Sequence, residues 1–431
     1  MRSRVWKWAL HVTAVACGAA LLAGAAAHAQ DTVPEQLTLP EALQRLRDAN
    51  PDRIAAQLQI AAAEAERREA QLFANPTLSV DAANIPVGRT TPAGLSVGQT
   101  LVASSRVDQP LILWGKRRLR IAAADFGIAA AREQEHDALR QLTAALKGAF
   151  YRALHDERLL AFTTDNQQRY QKIVELNERR FRSGDISEVE YRKIELENLK
   201  FVTAAEEARR NLAEAQQLLG RLTGGDHAVA AAGELTGSSA AVDGPDLVAV
   251  AMQNRPDWAA AQHAREQADT ALTLARRERL PDVTVGADYT HSQFVISGDN
   301  RNSIGFGFSV PVPLLNQRQG AIARAEVALR QADNDLARLR LDIAQEVHDA
   351  AERYTSAQRL RRTFESGYLE HNKLTVTAAE TSYRIGAASL LELLDAERTY
   401  TETQTDYLDT VFAERASLAD LEKAIGTDLS Q

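Results

Sequence analysis

Cysteine is almost missing from this chain: Cys17 is the single example among 431 residues. Any part of the protein without Cys17 can therefore hold neither a disulfide nor a thiolate metal site. Aromatic residues make up only 6% of the chain, and there are two methionines. That poverty excludes a bulky aromatic core and favours long alanine-rich helices with thin contacts. No block of Lys and Arg appears and the formal net charge is −8, which argues against nucleic acid as a partner. Beyond the N-terminal segment no run of about 18 apolar residues occurs, so no transmembrane helix is expected there. The phosphate loop G-x-x-x-x-G-K-S/T, the H-E-x-x-H pair and C-x-x-C are all absent. His136, His155, His227, His263, His291, His348 and His371 are scattered, with no pair at helical ligand spacing. The sequence thus predicts no enzyme, no cofactor and no tight metal site.

The N-terminus is what this depleted composition makes conspicuous. "MRSRVWKW" supplies a basic start, an apolar run comes next, and Ala27-His28-Ala29 offers a small-residue cleavage site. Residues 1–29 read as a signal peptide that is removed on export from a bacterial cytoplasm. Cys17 falls inside this segment and would be discarded with it, the alternative being a lipidated N-terminus at Cys17. The exported chain is then a soluble periplasmic protein or one that crosses an outer membrane as strands.

The remaining chain states one plan twice. "ANPDRIAA" around Pro51 pairs with "NRPDWAAA" around Pro256, and Pro76 in "FANPTLSV" pairs with Pro281 in "RLPDVTV". "QPLILWGKRRLRIAAAD" pairs with "VPLLNQRQGAIARAE", and "FRSGDISEVEY" with "YRIGAASLLEL". The offsets stay between about 202 and 205 residues, the mark of an internal duplication. The expected division is a first repeat over residues 30–222, a connector over 223–246 that looks loosely structured, a second repeat over 247–426 and a tail over 427–431.

Each copy opens with a helix of about 30 residues notched by proline. Strands should come next: "TLSVDAANI" and "LSVGQTLV" in the first copy, "DVTVGADYTHSQFVI" and "IGFGFSVPVP" in the second. Two strand pairs cannot close a barrel alone, so they must find partners in other subunits. A very long helix then runs from Lys116 to Arg182, roughly 100 Å at 1.5 Å per residue, and its counterpart from Gln319 to Arg384. Ile322, Leu329, Leu336, Ile343 and Ala350 recur about every seven residues, with Ala325 and Ala332 between them, as in a coiled coil. Gly184 and Gly386 mark the turns of helical hairpins, where glycine adopts the left-handed conformation and Ser187 or Ser389 caps the returning helix.

The order and duplication of these landmarks resemble the TolC-type outer-membrane efflux channels over nearly all of the mature chain. "QPLILWGKRR" and "VPLLNQRQG" look most like the branch that serves cobalt–zinc–cadmium resistance pumps. The resemblance implies a mainly α fold with a small β part. Long coiled-coil hairpins would build an α-helical barrel, and four strands per chain would join a twelve-stranded β-barrel in a homotrimer. It implies an outer-membrane location reaching into the periplasm, and contact with outer-membrane lipid. Its implied partners are a periplasmic adaptor (membrane fusion) protein and, directly or through it, an inner-membrane RND-type pump. The function implied is a passive conduit for divalent heavy-metal cations. Drugs, organic solutes or secreted polypeptide are alternative cargoes, and a periplasmic coiled-coil scaffold is the non-channel alternative.

Within the family's Y-x-x-G…D-x-x-D entrance pattern, Tyr383 matches the gate tyrosine, Glu392 and Asp395 match the constriction acids, and Glu190 falls at a third gate acid. Glu392 and Asp395 lie three apart, hence on one helix face, and threefold symmetry would make them a cation-attracting ring. Ordinary solvated helix charges would look the same in sequence. Ala388 stands where the family has a gating arginine, so closing ion pairs are absent or borrowed from Arg182 or Arg384. Arg182, Gly184, Ser187, Arg384, Gly386 and Ser389 are the expected adaptor-docking tips.

Overall fold

The structure, a computed structural model, describes residues 34–237, 246–293 and 299–429. The expected signal peptide, Cys17 and part of the connector lie outside the described residues. The first copy contains β1 (Glu35–Leu37), α1 (Leu39–Ala49), α2 (Pro51–Gln71), β2 (Thr77–Ala83), a short α3 (Val97–Thr100), β3 (Val102–Leu111), α4 (Lys116–Ser183) and α5 (Glu188–Leu222). After β4 (Val229–Ala231), the second copy contains α6 (Leu247–Asn254), α7 (Pro256–Glu278), β5 (Val283–Ser292), β6 (Asn302–Ser309), α8 (Gln319–Thr363), α9 (Leu369–Arg384) and α10 (Leu390–Ile425).

The paired proline landmarks are helix restarts. Pro51 occupies the first turn of α2, where a missing N–H costs nothing, and the Asn50 side chain accepts from the amides of Asp52 and Arg53. In the second copy Pro256 restarts the chain in the same way. There Arg255 stands in place of the asparagine, buried and bridging Asp257 and Glu346, each at 2.6 Å.

Strands β2, β3, β5 and β6 form one antiparallel sheet in that order, with Arg106 opposite Asp288 and Val107 opposite both Leu78 and Ala287. The second strand lies later in the chain than its sequence pattern predicts. "LSVGQTLV" contains α3, because Ser96 and Gln99 form a reciprocal capping box that starts a helical turn. The strand begins at Val102 and includes the "QPL" expected at the junction, since its ten residues pair with all ten of β5. The connector is also less loose than expected, as β4 pairs in parallel with β1.

The strand-to-helix junction of one copy docks on the other. Trp114 donates its indole N–H to the Pro281 carbonyl at 2.7 Å, and Lys116 reaches the Leu280 carbonyl at 2.7 Å and Asp282 at 2.9 Å. From there α4 runs for 68 residues, about 100 Å, against α2, α5 and α7. One apolar core gathers Leu46, Leu146, Phe150, Leu219 and, from α10, Val411. The other gathers Ala251, Ile343, Val347, Tyr354, Leu421 and Ile425. The heptad stripe of α8 is the packed face: Ile343 and Ala350 are fully buried, and Ile322, Leu329 and Leu336 half-buried.

The second long helix is not continuous. Between α8 and α9, residues Phe364–Tyr368 form a π turn in which Ser366 and Gly367 leave helical geometry, Gly367 at φ 116°. The first copy has no such break among its described residues.

Candidate hairpin tips and channel entrance

Both hairpins turn by the same chemistry. Gly184 sits at φ 83° and Gly386 at φ 78°, and a Cβ at either would meet no atom within 4 Å. Space is therefore no obstacle at these turns; backbone conformation is what selects glycine. In the first tip the Asp185 amide reaches back to the Arg180 carbonyl at 2.8 Å; in the second the Ala387 amide reaches the Ser382 carbonyl at 2.8 Å. Each returning helix starts with a capping box. The Ser187 hydroxyl accepts from the Glu190 amide, and Glu190 accepts from the Ser187 N–H at 3.0 Å. Ser389 and Glu392 repeat this, with the Ser389 N–H at 2.7 Å from the Glu392 carboxylate. The serine backbone N–H, with the hydroxyl, holds each glutamate below the usual carboxylate range, so both stay ionised.

Glu190, Glu392 and Asp395 are exposed. Asp395 pairs with Arg398 one turn on, at 3.1 Å. Two arginines were candidates to replace the one missing at Ala388. Arg182 is paired with Glu178 in its own helix. Arg384 offers its carbonyl to Arg180 at 3.0 Å.

Tyr383 behaves differently from its counterpart Phe181. Phe181 is 37% exposed and stacks across its own turn on Tyr191, with ring centroids 5.2 Å apart. Tyr383 is buried, donates to Asn177 of α4 at 2.7 Å and lies 5.3 Å beneath the Arg180 guanidinium. The second tip is thus fastened to the first through Tyr383. Asn177 is fully buried, and no sequence pattern marks it, because its partner lies 206 positions away.

A further polar group, equally unmarked in the sequence, sits above the tips. Arg169 of α4 binds Glu380 of α9 at 3.3 Å and Asp165 at 3.2 Å, and lies 5.1 Å from the Tyr400 ring. Beside it Glu397 of α10 is 4% exposed. Burial, reinforced by a hydrogen bond with Glu380 and opposed by Arg169, pushes its carboxyl up to about 7.

The duplicated plan is matched as a whole by one family profile, described as outer membrane efflux protein, over residues 42–225 and again over 247–427. The chain belongs to this family. It is 22% identical over 393 residues to the cobalt-zinc-cadmium resistance protein CzcC of Cupriavidus metallidurans, spanning 90% of each chain. It is 27% identical over 331 residues to the nickel and cobalt resistance protein CnrC of the same organism, spanning 76% of this chain and 75% of that one. Its fold matches the outer membrane protein VceC of Vibrio cholerae with a TM-score of 0.74 at 18% identity, over 91% of this chain and 97% of the other. As an outer membrane efflux protein, the chain is an outer-membrane channel component of the α-barrel and β-barrel fold class, to which one chain contributes its helical hairpins and four strands. Its family is one of efflux channels and not of enzymes.

Proposed function

We propose that this outer membrane efflux protein works as a homotrimer that exports divalent heavy-metal cations delivered by an inner-membrane RND-type pump and a periplasmic adaptor. The observation that carries the cargo is the similarity to CzcC along 90% of both chains. Trimerisation is argued from the sheet: β2 and β6 end it with edges unpaired among the described residues, and three copies of four strands close a barrel of twelve. Tips about 100 Å from that barrel along α4 reach far into the periplasm, where the glycine turns and their flanking Arg182, Ser187, Arg384 and Ser389 meet the adaptor. The entrance is lined by Glu190, Glu392 and Asp395, rings of carboxylates that favour cations. Tyr383 holds the second hairpin against the first. The mature chain begins after residue 29, the two repeats flanking the connector at 223–246.

Deleting the gene and growing the strain on graded zinc, cobalt, cadmium and several drugs tests the cargo. Sensitivity to the metals alone is expected. Sensitivity to drugs alone would replace the metal reading with export of organic solutes.

A further inference from the structure

The β-sheet keeps its charged side chains to one face and most of its large apolar ones to the other, where Ser105, Gln109, His291 and Asn302 are the polar exceptions. By register one face carries Leu78, Val80, Val107, Val285, Tyr289, Ile304, Phe306 and Phe308, an apolar surface suited to lipid. The opposite face holds serines, threonines, glycines and every charged residue of the four strands: Asp81, Arg106, Asp108 and Asp288. In a closed barrel that second face lines the lumen.

Three of these charges form a cluster complete within one chain. Arg106 of β3 binds Asp108 on its own strand at 2.9 Å and faces Asp288 of β5 at 3.5 Å. Glycines clear the surface around them. A Cβ at Gly286 would collide with both the Asp108 carboxylate and the Arg106 guanidinium, and one at Gly305 would lie 2.7 Å from the Asp288 carboxylate. The absence of side chains at these positions lets the arginine lie across the strands.

We infer that Arg106, Asp108 and Asp288 form a charge-selective belt inside the β-barrel, at the opposite end of the conduit from the tips, with Arg106 limiting its acidity. The inference rests on the channel reading above. One guanidinium against two carboxylates leaves one net negative charge per chain at this level, and Asp81 adds another one row away. Twelve strands about 4.8 Å apart, tilted by about 40°, close at a radius of about 12 Å. Once side chains are counted, the axis lies within about one Debye length of the wall at about 0.1–0.15 M salt, so wall charge is felt across the opening. The belt would admit divalent cations and disfavour anions where cargo leaves.

Reversal potentials of the full-length protein in planar bilayers, under a KCl gradient centred near about 0.1 M, test this. Asp288→Asn should lower the cation-to-anion permeability ratio about twofold, and Arg106→Gln should raise it about twofold. Both shifts should vanish near about 1 M KCl, where the Debye length is about 3 Å. Gly286→Ala keeps every charge but displaces the Arg106 guanidinium into the lumen, and should lower conductance. Conducting channels whose reversal potentials match the parent's in both charge variants would overturn the belt. A parent protein that gives no conductance steps would overturn the channel reading on which the belt depends.

Discussion

The two hairpins of this chain come from one plan, and they differ in how firmly they are built. The first rises on α4 without a break for 68 residues and staples its turn with its own Phe181 and Tyr191. The second is segmented at Phe364–Tyr368, and its tip is held from outside, by Tyr383 on Asn177 and by the Arg169–Glu380–Glu397 group. Aligning the tip glycines sets this break against Phe162–Asn166, which is regular helix. Duplication supplied two equal hairpins; one now serves as a continuous strut, the other as a jointed arm fastened to it by polar contacts. A joint secured by buried polar groups can be released by changing their charge, whereas a continuous apolar seam cannot.

This contrast can be broken at several points. The largest effect should come from Glu397, whose proton is held more tightly in the folded protein than in the unfolded chain. Stability from this group is therefore full below the ordinary carboxylate value of 4.5 and is lost as pH rises toward about 7. The loss is on the order of 3 kcal/mol. Thermal midpoints of the detergent-solubilised protein should fall across that window, and Glu397→Gln should flatten the fall. Arg169→Ala removes the cation shared by Glu380 and Asp165 and should cost about 2–3 kcal/mol, read as a lower midpoint. Gly367→Ala forces a side chain onto φ 116° and should cost about 2 kcal/mol, against about 1 kcal/mol for Gly184→Ala or Gly386→Ala, where only left-handed strain opposes it. Smallest and equal should be Ser187→Ala and Ser389→Ala, each losing about 0.5 kcal/mol of capping. An unequal pair of cap effects would show that the tips differ in more than their fastening.

The parts legible in the sequence were those set by local rules. Gly184 and Ser187 announce a helix stop and a cap within one short stretch, and Gly386 and Ser389 repeat them; that Glu190 and Glu392, marked in the sequence only as entrance acids, also close capping boxes came from the structure. The proline notches and the coiled-coil stripe of α8 were equally plain, because each depends on neighbours in sequence. What stayed hidden depends on distant pairing. β3 extends to Leu111 only because β5 lies beside it, and no local pattern separates its last residues from the junction after it. Nothing near Glu397 says that it is buried, since the helices around it come from both repeats. The break at Gly367 had a local signal, the Ser-Gly pair inside "FESGY", but the strong helical periodicity on both sides masked it.

The most direct test compares the two tips as charge filters. Glutamine at the third helical position still completes a capping box, so Glu190→Gln and Glu392→Gln remove charge while keeping each turn intact. Reversal potentials under a KCl gradient should show cation preference in the parent, a small loss in Glu190→Gln and a larger loss in Glu392→Gln/Asp395→Asn. Equal losses at the two tips, or none at either, would contradict an entrance set mainly by the acids of the second hairpin.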